Sequence, residues 1–384
     1  MRDIRVLLVS PAKLSFTQTD MKLLRRHFQV RTVYVTLTGQ NLRKLLAMLF
    51  DMAGGILWAD VTLSWFAGWH SLWAVWLSKL VKKKSIVIAG GSEVTNVSEI
   101  GREVSTELTW TMRWALAWTM RRALKDADRI IAVSEFNRKE ILEHVRGRRV
   151  DLVFNGIDCS RFKPCNLSEK DKSNSNGVFS DAGNSARQLD EREESKVGLC
   201  SDSRIPLADH NEGYDVVTAA LFDSWHRVRL KGIDTFVESA ALMPDVEFVV
   251  IGGSGEGLKR IRDLAPSNVA FIRPSTQEEL IHYYQRGRVY CQLSCYESFG
   301  LALAEAMSCG CVPVATRNGA LPEVVGDTGF YVQYGDSKAV AAAIENALLS
   351  GKGKQARDRI TKFFSIERRE ADLVNEILQL IEVG

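Results

Sequence analysis

Short apolar runs rich in β-branched residues alternate with stretches of helical periodicity along the first 160 residues. Met1 to Ser10 (MRDIRVLLVS), Val30 to Val35, Val61 to Trp65, Ile86 to Ala89 and Ile130 to Val133 read as buried strands. Between them, Trp69 to Val81 and Glu107 to Ala127 carry the spacing of helices. Strands alternating with helices predict an α/β fold with a parallel, doubly wound sheet. Val61 to Ser78 holds no Asp, Glu, Lys or Arg over 18 residues, a length that just reaches a membrane span. Gly68 and His70 interrupt it, so it reads instead as a strand that turns into a helix near Trp69.

The pattern stops at residue 165. Residues 165 to 213 hold eight Ser, five Asn and one aromatic residue, Phe179, too little apolar surface to fold alone. The segment is expected to be a disordered insertion or linker. Periodicity resumes at Tyr214: DVVTAAL, VEFVVIGG, VAFI and VYCQLS read as strands, with helices at Ile233 to Leu242, Glu256 to Leu264 and Gln277 to Arg286. The expected organisation is therefore a Rossmann-like domain over 1–164, the insertion over 165–213 and a second Rossmann-like domain over 214–365. A last helix at 366–384 could cross back to the first domain. Two such domains facing each other make a cleft, and open α/β sheets bind ligands outside the carboxyl ends of their strands.

Charge sharpens this picture more than composition does. Hydrophobic residues make up 46% and charged residues 25%, ordinary values for a globular chain, which speaks against wholesale disorder, collagen-like repeats and a polytopic membrane protein. The net charge of +3 hides an asymmetry: residues 1 to 164 carry 26 Lys and Arg against 15 Asp and Glu. That surplus predicts an anionic partner for the first half. The seven cysteines lack paired C-x-x-C spacing, which speaks against a disulfide framework or a structural zinc site. The first ten residues show no apolar core or cleavage site of a secretory leader.

The densest chemical signal is SCYESFGLALAEAMSCGCVPVATRNGALPEVVGDTGFYV, Ser294 to Val332. It reads as a strand end, a turn through Gly300 and a helix from about Leu301 to Met307. A glycine at such a turn admits close approach of a ligand, and the helix N-terminus behind it offers unpaired N–H groups and a positive dipole end. That combination suits a diphosphate. Glu297 lies in the turn and Glu305 in the helix, so the two carboxylates can accept hydrogen bonds from hydroxyls at opposite ends of an extended ligand.

This block resembles the E-x7-E signature of glycosyltransferase family 4, with Gly310, Val312, Pro313, Val314 and the Gly319 to Glu323 turn in the usual order. VFNGIDCSRFKP, Val153 to Pro164, is similar to the family's interdomain N-G-I-D segment. Lys231-Gly232 resembles its K-G, and Ile251-Gly252-Gly253 its I-G-x-G turn. The resemblance implies a GT-B fold and a retaining sugar transfer from a nucleotide-sugar donor, without a cofactor or metal. It implies that Glu305 binds the ribose and Glu297 the donor sugar, and that Lys231 with the Gly300 and Leu301 amides binds the diphosphate. Gly252, Gly253, Ser298 and Phe299 join the donor side, and base contacts are expected around Ile272 to Pro274, Arg273 included. The family's usual arginine partner of the lysine is displaced here: position 226 is His, and Arg229 is the expected partner.

On the acceptor side, Gly90, Gly91 and Glu93 follow a strand, and the glycine loop common after the family's first strand is replaced by Ser10-Pro11-Ala12-Lys13. His70 could line the cleft or sit satisfied in the core among tryptophans. Eight of nine tryptophans fall between 58 and 118, and Trp110, Trp114 and Trp118 share a helix with Arg113, Arg121, Arg122 and Lys125. An aromatic and basic helix of this kind suits the surface of an anionic membrane. The expected partners are a nucleotide-sugar donor, a saccharide or lipid-linked acceptor and such a membrane, at the cytoplasmic face, with no nucleic acid. A sugar-nucleotide epimerase of the same fold and a non-catalytic nucleotide-sugar-binding protein are the alternatives.

Overall fold

The computed structural model describes residues 4–35, 42–91, 94, 110–165, 214–274 and 276–382. The first half runs β1 (Arg5–Ser10), α1 (Ser15–Leu24), β2 (Gln29–Tyr34), α2 (Leu42–Trp58), β3 (Val61–Trp65), α3 (Trp69–Leu80) and β4 (Lys84–Ala89). It continues with α4 (Trp110–Asp126), β5 (Arg129–Ala132), α5 (Glu135–His144) and β6 (Val150–Leu152). The second half opens with β7 (Val216–Ala220), α6 (Trp225–Leu230), α7 (Ile233–Ala241), β8 (Phe248–Gly252), α8 (Gly255–Leu264) and β9 (Val269–Ile272). Then follow α9 (Gln277–Arg286), β10 (Val289–Gln292), α10 (Leu301–Ser308), β11 (Val312–Thr316), α11 (Leu321–Val325) and β12 (Phe330–Val332). Three helices close the chain: α12 (Ser337–Ser350), α13 (Gly353–Phe363) and α14 (Ile366–Glu382).

The strands form two parallel six-stranded sheets, ordered β2-β1-β3-β4-β5-β6 and β12-β11-β10-β7-β8-β9. Val6 lies opposite both Val30 and Val61, and Val289 opposite both Val216 and Val312. With helices over both faces, central strands such as β3, β10 and β11 are buried at every position, which is why they hold no charged residue. The charge-free stretch that begins at Val61 is β3 and most of α3, and no helix among the described residues is long and apolar enough to cross a membrane. The hydrophobic pattern missed α2. Its Gly54-Gly55 pair breaks the expected periodicity, yet Gly55 lets the helix press on the sheet: a Cβ there would lie 2.7 Å from a Leu7 methyl.

Strand order reverses between β1 and β3 in the first sheet and between β7 and β10 in the second. At such a switch point the loops leave in opposite directions and open a crevice. The halves pack as one unit whose apolar cluster runs from Leu8 and Trp65 through Phe162 and Phe299 to Leu373 and Ile377. Two crossings join them. Ile157 bridges Ser365, and α14 returns to the first half, where Arg369 donates to Asp20 at 2.7 and 2.8 Å with both side chains buried. Arg369 also donates to the carbonyls of Val153 and Phe154, so this pair ties helix, linker and first domain together. The serine-rich segment from 166 to 213 lies outside the described residues.

Candidate active site

A cleft of about 720 Å³ lies between the halves and takes its walls from both switch points. On the second half, Lys231 follows α6 and its Nζ donates to Glu297 Oε1 at 2.6 Å. The same oxygen accepts from Ser294 Oγ at 2.9 Å and Gln292 Nε2 at 3.2 Å. Gly232 makes this arrangement possible. Its φ of +66° brings the α6–α7 junction against the end of β10, where a Cβ would meet the Leu293 carbonyl at 2.2 Å. Gly319 does the same for the turn: with φ +62°, it lies where a Cβ would be 2.1 Å from the Glu297 carbonyl. Behind the turn, Gly300, Leu301 and Ala302 line the cleft at the start of α10, whose first N–H groups have no intrahelical acceptor.

Glu305 lies in the second turn of α10 and also borders an adjoining cavity of about 380 Å³. No side chain or amide among the described residues hydrogen-bonds its carboxylate. Burial pushes its carboxyl up to about 8, against the opposing charge of Arg161. A carboxylate left without an internal partner in a cleft wall is a ready acceptor for ligand hydroxyls. Arg227 and Arg273 add two further cations to this wall.

The first half faces this polar wall with Ser15, Phe16, Trp65, Phe66, Gly90 and Gly91. Among the described residues it contributes no charged side chain to the cleft. Contact between the first half and the Tyr296–Gly300 turn is direct: Ser298 Oγ donates to the Gly90 carbonyl at 2.8 Å, and Tyr296 OH donates to Glu140 at 2.7 Å. Glu323, on α11, accepts from the backbone N–H groups of Glu135 and Phe136 at 2.7 and 2.5 Å. A carboxylate of the second half therefore caps the helix α5 of the first.

The comparisons with known proteins divide at the same place. Residues 2–161 match the family model described as glycosyltransferase family 4, and residues 222–363 match that of glycosyl transferases group 1. The chain belongs to this glycosyltransferase family. D-inositol 3-phosphate glycosyltransferase of Mycobacterium sp. (strain KMS) is 28% identical over 246 residues, 60% of this chain and 47% of that protein. Its counterpart in Corynebacterium urealyticum is 36% identical over 137 residues, 31% of this chain and 32% of that protein. The chain thus spans about half the length, or less, of these curated relatives. In fold it is similar to sucrose-phosphate synthase of Thermosynechococcus elongatus, with a TM-score of 0.71 at 18% identity over 99% of this chain and 100% of that one. Anabaena HepE, solved with UDP and glucose, has a TM-score of 0.68 at 13% identity over 98% and 100%.

Within this family 4 chain the structure brings together Lys231, Gly252, Gly253, Arg273, Glu297, Ser298, Phe299, Gly300, Leu301 and Glu305 in one cleft with Gly90 and Gly91. One expectation needs correction, and one open alternative is decided. Arg229 is not among the residues lining the cleft; its backbone carbonyl accepts from Tyr334 OH at 2.7 Å, and its charge acts on Asp234, while Arg227 takes the place beside Lys231. Along a helix, residues two apart face different sides, which is why choosing the nearer arginine failed. His70 is buried at the start of α3, where its Nε2 donates to the Trp65 carbonyl at 2.8 Å and burial lowers its basicity. It supports the wall from behind. Glu93 lies outside the described residues. Sequence reasoning missed Phe16 and Phe66, and also Gln292 and Ser294, whose i−5 and i−3 spacing from Glu297 at a strand end was the available signal.

Proposed function

We propose that this protein is a retaining glycosyltransferase that moves a sugar from a nucleotide-sugar donor to a saccharide or lipid-linked acceptor. The observation that carries the reading is Lys231 held on Glu297 beside the start of α10, with the partnerless Glu305 one turn further along the helix. In this reading Glu305 accepts the ribose hydroxyls. Lys231, Arg227 and the α10 N–H groups then receive the diphosphate, and Glu297 orients the donor sugar.

As the anomeric carbon–oxygen bond breaks, negative charge grows on the diphosphate, which is where cations and amide donors stabilise the transition state. The acceptor hydroxyl forms the new bond, and its proton leaves with the departing diphosphate. Because these cations already face the expected diphosphate, the proposal includes transfer without a metal ion.

Thermal-shift titration with UDP-, GDP- and ADP-sugars tests this. UDP-glucose comes first, since the similarly folded Anabaena HepE was solved with it. One nucleotide series should raise the melting temperature with the logarithm of its concentration. No stabilisation by any of the three overturns the reading.

The same proposal places the enzyme in cell-surface polysaccharide or glycolipid assembly, at the cytoplasmic face of a membrane. Trp73 on α3 and Trp114, Leu116 and Trp118 on α4 are exposed, and ring contacts link Trp73, Trp76 and Trp118. Arg121, Arg122 and Lys125 lie exposed on the same helix. Apolar rings beside cations favour anionic bilayers. Vesicles containing phosphatidylglycerol should bind the protein, less so as salt rises; equal partitioning onto neutral vesicles counts against the electrostatic part.

A further inference from the structure

The wall opposite the donor turn is aromatic. Phe16 and Phe66 line it as half-buried rings, edge to face with centroids 5.7 Å apart. Both rest on the buried ring of Trp65, at 4.7 and 5.7 Å. Trp65 is itself fixed, because its indole N–H donates to Asp20 at 2.9 Å and Arg369 lies 5.4 Å from its ring centre. The platform is thus anchored to the buried pair that joins the halves.

Phe66 has a φ of +64°, in the left-handed region that a bulky L side chain avoids because its Cβ crowds the carbonyl. Hydrogen bonds hold the turn from both sides. The Phe66 N–H donates to the Ile88 carbonyl at 2.8 Å, and its own carbonyl accepts from Ser71 Oγ at 2.5 Å. Glycine would make this turn without strain. A strained aromatic, kept where glycine folds more easily and facing a cleft, points to a use for the ring.

We propose that Phe66, together with Phe16, is the platform for the acceptor, and that the acceptor's reacting residue is a neutral sugar ring. The proposal rests on the transferase reading and names the substrate class of the same cleft. A pyranose has one face of C–H groups and a rim of hydroxyls. The C–H face fits the electron-rich face of the Phe66 ring, and Phe16, edge to face with it, closes the side of that seat. The rim then meets Ser15, the Gly90–Gly91 backbone and the donor turn, which approaches to a 2.8 Å hydrogen bond at Gly90. An anionic acceptor would need a cation on this wall, and among the described residues the first half supplies none. Arg227, Lys231 and Arg273 belong to the opposite wall, where the diphosphate claims them.

The test compares wild type, Phe66→Gly and Phe66→Tyr by saturation-transfer NMR, with methyl β-D-glucopyranoside and inositol 3-phosphate as probes, each with and without UDP, GDP or ADP. Wild type should transfer saturation to the ring C–H protons of the glycoside. Phe66→Gly should lose that signal at least fivefold while melting no lower than wild type and keeping its nucleotide affinity; Phe66→Tyr should retain it. Glycoside signal unchanged in Phe66→Gly overturns the platform. Saturation of inositol 3-phosphate alone overturns the neutral-sugar class. Failure of all three nucleotides to bind sinks the transferase reading separately, because the glycoside signal without nucleotide still decides the wall.

Discussion

The two walls of the cleft are built on sheets of the same kind and use opposite chemistry. The second half presents charges held in register by hydrogen bonds, with three groups converging on one oxygen of Glu297. The first half presents rings and bare backbone at Phe16, Phe66, Gly90 and Gly91. Charge recognition needs particular side chains at fixed separations, because a carboxylate or ammonium works only within hydrogen-bond reach. Shape recognition tolerates many sequences. The polar wall is therefore written in a motif, and the aromatic wall in a local conformation.

The comparison is broken most severely by removing what makes the walls face each other. Arg369→Met would leave Asp20 buried and uncompensated and strip donors from the Val153 and Phe154 carbonyls. Breaking one side of such a pair costs about 3–5 kcal/mol. Urea denaturation should show that loss. The double variant with Asp20→Asn should recover part of it, since removing both charges avoids the unpaired one. A midpoint within error of wild type for Arg369→Met would mean that the crossing helix is held by apolar packing alone.

Within the donor wall, Lys231→Ala should lower turnover by about 10²–10³, the usual cost of one electrostatic contact at a developing charge. The 2.6 Å contact adds a sharper expectation: Lys231 and Glu297 are coupled, so the Lys231→Ala/Glu297→Gln double variant should fall well short of the sum of the singles. Steady-state kinetics with the donor found by thermal shift decides it. Strict additivity would separate the two residues into independent roles.

How much of this was legible beforehand follows the same division. The alternation of buried strands and helices announces the doubly wound sheets, and the block around Glu297 and Glu305 carries the family resemblance, because both depend on residue type at fixed intervals. Arg229 was chosen over Arg227 because sequence proximity does not say which side of a short helix faces the cleft, and His70 was left between cleft and core for the same reason. Phe66 was invisible: an aromatic after a strand is ordinary, and its left-handed φ exists only where Ile88 and Ser71 pin the turn. The Asp20–Arg369 pair spans 349 residues, a separation that no local pattern encodes.

Glu305 gives the donor wall a pH signature that the aromatic wall lacks. Burial holds its carboxyl near 8 in the folded protein, above the ordinary value of 4.5. The stability it contributes is complete below about pH 4.5 and is lost as pH rises through about 8. Ribose hydroxyls donate to the ionised form, so nucleotide binding must release this proton below pH 8. Affinity should rise by up to about tenfold per unit between pH 6 and 8 and then level off, as proton linkage requires. Calorimetry in buffers of different ionisation enthalpy would detect the released proton. Glu305→Gln should flatten the profile, and a flat wild-type profile would sink the assignment.

The smallest effect is expected where the walls meet. Glu323 accepts two N–H groups at the start of α5, Ser134 Oγ accepts that of Asn137 at 3.0 Å and the Ser134 carbonyl that of Arg138 at 2.9 Å, so the first turn of α5 is fully satisfied. Half of that cap comes from the domain that carries the Tyr296–Gly300 turn. Glu323→Gln keeps the shape, loses the negative charge opposite the helix dipole and can offer one carbonyl where two oxygens were used. Halves that separate more often should lower kcat by about fivefold, the worth of one lost hydrogen bond at roughly 1 kcal/mol. Affinity for free nucleotide should stay unchanged, since no atom of Glu323 borders the cleft. Small-angle scattering should show a larger radius of gyration for the variant with donor bound; equal radii together with an unchanged kcat would mean that the cap serves the fold of α5 alone.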